Sequence, residues 1–87
     1  MPVPKIVMYT TAWCPYCAMA RALFEEKGVG FEEVDIEALP QARGEMIKKS
    51  GSGTVPQIFI GETHVGGCED LYALESAGSL DSMLTGA

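Results

Sequence analysis

Two cysteines separated by two residues, Cys14 and Cys17, stand between an apolar segment of strand length and a helix-forming segment. Residues 6–9 are apolar and precede the pair, and residues 18–27 follow it with many helix formers before Gly28. A helix that begins at this pair directs its free N–H groups and the positive end of its dipole toward Cys14, which favours a thiolate. The sequence therefore predicts a strand–dithiol–helix unit around which the other elements must pack.

The other apolar segments predict the element order β-α-β-α-β-β-α. Residues 5–10 and 31–36 are predicted to form the first two strands, and a right-handed crossover makes them parallel neighbours. Residues 56–60 and 63–65 are separated by a short turn and predict an antiparallel hairpin. The fold class is therefore α/β, with a four-stranded mixed sheet that carries helices on both faces.

The second helix is predicted to begin at Pro40 and to end before Gly51, and the third to follow two glycines near residue 67. Helical spacing recurs in a short segment near the C-terminus, so three or four helices flank the sheet. Apolar residues of the second and third helices are predicted to face inward: Met46, Ile47, Leu71, Leu74 and Ala77.

The composition excludes several kinds of partner. The 87 residues are 47% hydrophobic and 21% charged, which is typical of one globular domain spanning residues 1–87. The net charge of −6 argues against nucleic acid or an anionic membrane as a partner, because both select basic surfaces. No apolar segment approaches the roughly 20 residues of a membrane span, and no signal peptide is recognised. A cytoplasmic monomer is expected, in a compartment where cysteine pairs are more often catalytic or metal-binding than structural.

A cysteine pair of this spacing near a βαβ pattern is typical of a thioredoxin-like redox motif. Three motifs together resemble those of dithiol glutaredoxins, and the short bacterial members look most similar: Cys14-Pro15-Tyr16-Cys17, Thr54-Val55-Pro56 and Gly66-Gly67-Cys68-Glu69-Asp70-Leu71. The resemblance covers residues 5–84. It implies the thioredoxin fold with strand order 4-3-1-2, glutathione as co-substrate and electron donor, and no permanently bound cofactor or metal.

The resemblance also implies roles for individual residues. Cys14 corresponds to the nucleophile and Cys17 to the resolving cysteine. Pro56 corresponds to a cis-proline that turns the Val55 backbone toward the cysteine of the substrate. The remaining predicted contacts to glutathione are Tyr16, Thr54, Gly67, Cys68 and Glu69, and Arg43 is added, apart from the resemblance, as a candidate cation for a ligand with two carboxylates. Independently of the family, two consecutive glycines before a helix allow close approach of a ligand, and the helix start offers N–H groups to a carboxylate.

Two positions depart from the family pattern. Glu69 stands where aspartate is usual, which lengthens the side chain by one methylene. Thr11 stands where lysine is common, and it is expected at the water-exposed edge of the site, where it offers only a neutral hydroxyl. The acidic residues within 32–37 are interpreted as the solvated charges of a sheet edge, which discourage pairing with another sheet.

The predicted function is reduction of glutathione mixed disulfides and protein disulfides, with glutathionylated proteins as partners. A glutathione-bridged dimer that carries an iron–sulfur cluster is an alternative known in part of the family, although Pro15 stiffens the active-site turn. A redoxin linked to thioredoxin reductase is another. Cys14, Cys17, His64 and Cys68 also form a possible zinc-binding set, although a helix directly after the first pair is unusual for such a site.

Overall fold

The computed structural model describes residues 4–85. Its elements are β1 (Ile6–Thr10), α1 (Pro15–Lys27), β2 (Glu32–Asp35), α2 (Pro40–Ser50), β3 (Gln57–Ile60), β4 (Thr63–Gly66), α3 (Cys68–Ser76) and α4 (Leu80–Thr85). The predicted element order is confirmed, with the C-terminal segment as a fourth helix. Among these described helices, none has both the length and the apolar character needed to cross a membrane.

The four strands form one mixed sheet in the order β2-β1-β3-β4, which is the predicted order 4-3-1-2 counted from the other edge. The strands β1 and β2 are parallel, whereas β3 runs antiparallel to both β1 and β4. Tyr9 near the end of β1 lies opposite Gln57 at the start of β3. The loop after β1 and the segment before β3 therefore lie at the same end of the sheet.

Helices cover both faces of the sheet, and each face has its own cluster of buried side chains. On one face, α1, α3 and α4 contribute to a cluster with the central strands: Ile6, Met8, Ala20, Leu23, Phe24, Ile58, Ile60, Cys68, Leu71, Leu80 and Leu84. On the other face, α2 packs its buried residues against Tyr9 and Ile36. Full burial of a side chain such as Phe24 or Met46 contributes about 1.5–3 kcal/mol relative to exposure.

Two predicted inward positions are wrong. Ile47 is exposed, because it follows the fully buried Met46 and so points away from the stripe of α2 that faces the sheet. Ala77 is also exposed, because α3 ends at Ser76 and Ala77 is only its C-terminal cap. Helical spacing predicts which apolar residues share one face of a helix, but it does not show where the neighbouring sheet ends.

Candidate active site

Cys14 is held at the junction of β1 and α1. It is the N-terminal cap residue of α1, with an extended backbone at φ −80° and ψ 118°, and Pro15 follows in the first turn. No side chain caps the helix by a hydrogen bond, and the first turn contains no acidic residue. Cys14, a residue that is 8% exposed, therefore lies at the positive end of a helix dipole that no acidic side chain in the first turn offsets.

Cys17 lies in the first turn of α1 and is 0% exposed. Burial raises the pKa of its thiol to about 12, and a hydrogen bond with Cys14 and the charge of Cys14 also raise it. The Thr11 backbone and the charge of Arg21 act in the opposite direction. At neutral pH Cys17 is therefore a buried thiol beside Cys14, ready to donate a hydrogen bond to it.

The opposite wall of the site is the segment that enters β3. The Val55–Pro56 peptide bond is cis, which is the geometry that the resemblance implies for Pro56. The thiol of Cys14 lies 3.9 Å from the carbonyl oxygen of Val55, a residue 41 positions away in the chain. The antiparallel pairing of β1 with β3 brings these two loops together.

A groove of about 660 Å³ runs from this wall to the N-terminus of α3. This main groove is lined by every predicted substrate-binding residue except Arg43: Tyr16, Thr54, Val55, Pro56, Gly67, Cys68 and Glu69. Tyr16 is 62% exposed at its rim. The volume suits a small peptide-like ligand.

Arg43 lines a second cavity of about 530 Å³, the side cleft, together with Thr11, Trp13 and Cys14. Thr54 and Val55 line both cavities, so the side cleft and the main groove adjoin each other at this segment. The side chain of Arg43 passes close to the backbone of Gly53: a Cβ added at that glycine would lie 3.1 Å from the guanidinium. The guanidinium therefore lies on the wall of the side cleft that faces the loop before β3.

Thr11 is only 4% exposed, so its predicted place at a water-exposed edge is wrong. It directly follows β1 and continues the buried run of that strand. Its hydroxyl is the buried side-chain polar atom that has no hydrogen-bond partner within residues 4–85. Such an atom costs about 1–3 kcal/mol, and it belongs to a residue that lines the side cleft with Cys14.

The N-terminus of α3 forms the far end of the main groove. The N–H of Gly67 donates to Asp70 Oδ2 at 2.9 Å. The N–H groups of Cys68 and Glu69 fall in the first helical turn, where no intrahelical carbonyl is available to them. Burial raises the pKa of the Cys68 thiol, and the charge of Cys14 adds to this. Cys68 is thus a small packing residue whose thiol is protonated at neutral pH.

A polar network behind Thr54 was not predicted from the sequence. His64 Nε2 and Gln57 Oε1 are joined by a hydrogen bond of 2.7 Å, and Gln57 Nε2 donates to Thr54 Oγ1 at 3.2 Å. Thr54 also exchanges a hydrogen bond of 2.9 Å with Ser52. The available signal was Gln57, a polar residue at the head of an otherwise apolar strand.

The geometry does not support the possible zinc set. His64 is engaged by Gln57 and stacks on Phe59 with ring centroids 4.9 Å apart. Within residues 4–85, no three side chains of histidine, cysteine, aspartate or glutamate are placed to share a metal ion.

The three cysteines are expected to differ strongly in alkylation. At neutral pH iodoacetamide should modify Cys14 first, because Cys14 lines the side cleft, whereas burial raises the pKa values of the Cys17 and Cys68 thiols and keeps them protonated. Modification of Cys17 should become appreciable only as the pH rises toward about 12, where its thiolate forms. Peptide mass spectrometry after limited labelling measures the order, and equal labelling of Cys14 and Cys17 at neutral pH would contradict this expectation.

The fold and the site together define a thiol–disulfide oxidoreductase with the thioredoxin fold. Its dithiol begins a helix beside a central strand, and the Cys14 sulfur lies 3.9 Å from the carbonyl oxygen of Val55 in the cis-proline segment, which also lines an open groove.

Comparison with known proteins agrees with this class. The glutaredoxin family model matches residues 6–65. A glutaredoxin of Pseudomonas aeruginosa is 58% identical over 83 residues, which cover 95% of this chain and 99% of the relative. Glutaredoxin 3 of Escherichia coli is 53% identical over 80 residues, covering 92% and 96%. The crystal structure of a buckwheat glutaredoxin–glutathione complex has a TM-score of 0.88 at 27% identity, covering 95% of this chain and 78% of that one. The chain belongs to the glutaredoxin family.

Proposed function

We propose that this protein reduces glutathione mixed disulfides and protein disulfides, with glutathione as the electron donor. The observation that carries the proposal is the position of Cys14. Its sulfur lies at a helix N-terminus, 3.9 Å from the Val55 carbonyl, and both Cys14 and Val55 line the side cleft that adjoins the main groove. A family neighbour of known structure is a complex with glutathione, which supports the same ligand here.

The two cavities offer partners for both carboxylates of glutathione. At one end, the first-turn N–H groups of Cys68 and Glu69 suit the γ-glutamyl carboxylate, since helix N-termini bind anions. At the other end, Arg43 and the unpaired hydroxyl of Thr11 suit the glycyl carboxylate. The Val55 backbone between them suits the cysteine of the tripeptide. These local donors outweigh the protein's net charge of −6 at short range.

The proposed exchange proceeds first through Cys14 alone. The thiolate attacks the glutathione sulfur of a mixed disulfide, the S–S bond breaks, and the target protein leaves as a thiol after taking up a proton. A second glutathione then attacks the Cys14–glutathione disulfide, which releases glutathione disulfide and restores the Cys14 thiolate. When the substrate is a protein disulfide, Cys17 displaces the substrate from Cys14 and closes a Cys14–Cys17 disulfide, which two glutathione molecules reduce.

The test is turnover of a small glutathione mixed disulfide, with glutathione reductase and NADPH recycling the donor. Rapid turnover that depends on glutathione is expected. A parallel assay replaces glutathione and its reductase by thioredoxin reductase. Activity only in the second assay would overturn the proposal and favour a redoxin that accepts electrons from that enzyme.

Thr10 and Thr11 are adjacent and buried, and their valine variants form a matched pair that tests whether the Thr11 hydroxyl is unpaired. Thr11→Val should raise the free energy of unfolding by about 1 kcal/mol, because it removes an unpaired buried hydroxyl. Thr10→Val should lower it by about 1–2 kcal/mol, because the Thr10 hydroxyl donates to Glu33 at 2.8 Å. Urea denaturation of both variants measures the two changes, and destabilisation by both would show that the Thr11 hydroxyl has a partner in solution.

The same Thr11→Val variant tests ligand contact. Loss of one neutral hydrogen bond to glutathione should raise its KM about two- to tenfold. An unchanged KM would remove Thr11 from the proposed site and leave Arg43 as the group at the glycyl end.

A further inference from the structure

Three side chains form a connected group beside the cysteine pair. Arg21 Nε donates to Glu33 Oε1 at 2.9 Å, and Arg21 Nη2 donates to the second carboxylate oxygen. Thr10 Oγ1 donates to that same Glu33 oxygen at 2.8 Å. Glu33 is an exposed charge on the edge strand β2, as the sequence predicts, and its side chain, 30% exposed, also joins β2 to both β1 and α1.

Thr10 and Glu33 fix the position of the Arg21 side chain near Cys17. Thr10 is 1% exposed at the end of β1, which fixes one oxygen of Glu33. The paired Glu33 then holds the guanidinium through two parallel donors, a geometry that restricts the Arg21 side chain. Arg21 follows Cys17 by four residues on α1, so the two side chains are neighbours on one face of the helix. Long helical side chains also lean toward the N-terminus, which here is the direction of Cys17.

Two neighbouring groups act electrostatically on Cys17. Arg21 is the cation whose charge lowers the pKa of the Cys17 thiol, while the neighbouring Cys14 raises it. The hydrogen bonds with Glu33 raise the pKa of Arg21, whose guanidinium is charged at neutral pH. This electrostatic effect agrees with the placement that the hydrogen bonds and the helix spacing already establish.

We propose that Arg21, anchored by Glu33 and Thr10, is a positioning residue that promotes resolution by Cys17. The inference rests on the proposed function, because it concerns only the route that uses both cysteines. It divides the activity into two parts: reduction of protein disulfides depends on Arg21, whereas removal of glutathione through Cys14 alone does not.

The resolving step shows where a fixed cation matters. Cys17 loses its proton to water, and its sulfur attacks the Cys14 sulfur of the mixed disulfide. The Cys14–substrate bond breaks as the Cys14–Cys17 bond forms, and the departing substrate thiolate takes up a proton. The substrate is thereby reduced by two electrons and the cysteine pair is oxidised. The negative charge that appears on the buried Cys17 sulfur is stabilised by the nearby guanidinium, which lowers the barrier to this step.

The test compares Arg21→Met with Lys27→Met. Both remove one positive charge from α1 together with its ion pairing, but Lys27 pairs with two carboxylates, Glu75 and Asp81, at the far end of the helix. Arg21→Met should slow reduction of a protein disulfide such as that of insulin about two- to fivefold, the range expected for one partly exposed charge interaction. Lys27→Met should leave this rate unchanged, and Arg21→Lys should restore most of it, because the charge remains.

Two further readouts separate a positioning role from a structural one. Turnover of a small glutathione mixed disulfide by Arg21→Met should match the wild type, which also shows that the proposed function itself holds. In a Cys14→Ser, Cys68→Ser background, the alkylation profile of Cys17 should move to higher pH when Arg21→Met is added. Equal slowing of both substrates, or an unmoved Cys17 profile, would overturn the inference. Absence of mixed-disulfide turnover in the wild type would instead defeat the proposed function.

Discussion

Cys14→Ser is expected to abolish reduction of both glutathione mixed disulfides and protein disulfides, whereas Cys17→Ser is expected to abolish only the second activity. The reason is the different placement of the two sulfurs. Cys14 lies beside Val55 and lines the side cleft, where a substrate disulfide can reach it. Cys17 is 0% exposed and lines neither cavity, so it can meet a substrate only after that substrate is attached to Cys14.

The two serine variants are matched controls for each other, because each replaces one sulfur of the same pair by oxygen. Turnover should be measured with a glutathione mixed disulfide and with a protein disulfide at the same glutathione concentration. Cys14→Ser should fall to the uncatalysed background with both substrates. Cys17→Ser should keep most of its activity on the mixed disulfide, since a second glutathione completes that cycle. Equal loss of both activities in Cys17→Ser would disprove the route through Cys14 alone.

Gly66→Ala is expected to lower the free energy of unfolding by about 2–4 kcal/mol and to weaken glutathione binding. Gly66 is buried with φ 112°, a backbone conformation that costs about 1–3 kcal/mol for residues other than glycine. An added Cβ would also overlap Oδ2 of Asp70 and lie 2.9 Å from its Cγ. Asp70 must then move, which removes the acceptor of the Gly67 N–H and disturbs the start of α3. Overpacking of this kind costs about 1–3 kcal/mol.

Gly44→Ala is the matched control, because it makes the same chemical change in an exposed position of α2. A Cβ at Gly44 meets no atom within 4 Å, and alanine is the better helix former by about 1 kcal/mol. Thermal unfolding should therefore shift down for Gly66→Ala by roughly 4–8 °C for each kcal/mol and shift slightly up for Gly44→Ala. An unchanged melting temperature for Gly66→Ala would show that α3 can move away from β4 at little cost.

Much of the fold follows from local sequence. The strand–dithiol–helix unit, the hairpin at residues 57–66 and the start of α2 at Pro40 agree with the structure, because periodicity, proline and glycine act over a few residues. The strand order follows from the handedness of the first crossover together with the family resemblance. The resemblance, and not composition or spacing, suggested which residues surround the bound tripeptide.

The sequence by itself therefore determined the elements and the position of the cysteine pair within them. Only the tertiary structure decided that Thr11 is buried without a partner, that Glu33 holds Arg21, and that the Cys14 sulfur meets Val55. The last two features are contacts between segments that are distant in the chain. The first depends on what covers the end of β1. A residue pattern records the polarity of one segment, whereas a contact between two segments is set by the register of the strands and the packing of helices on them.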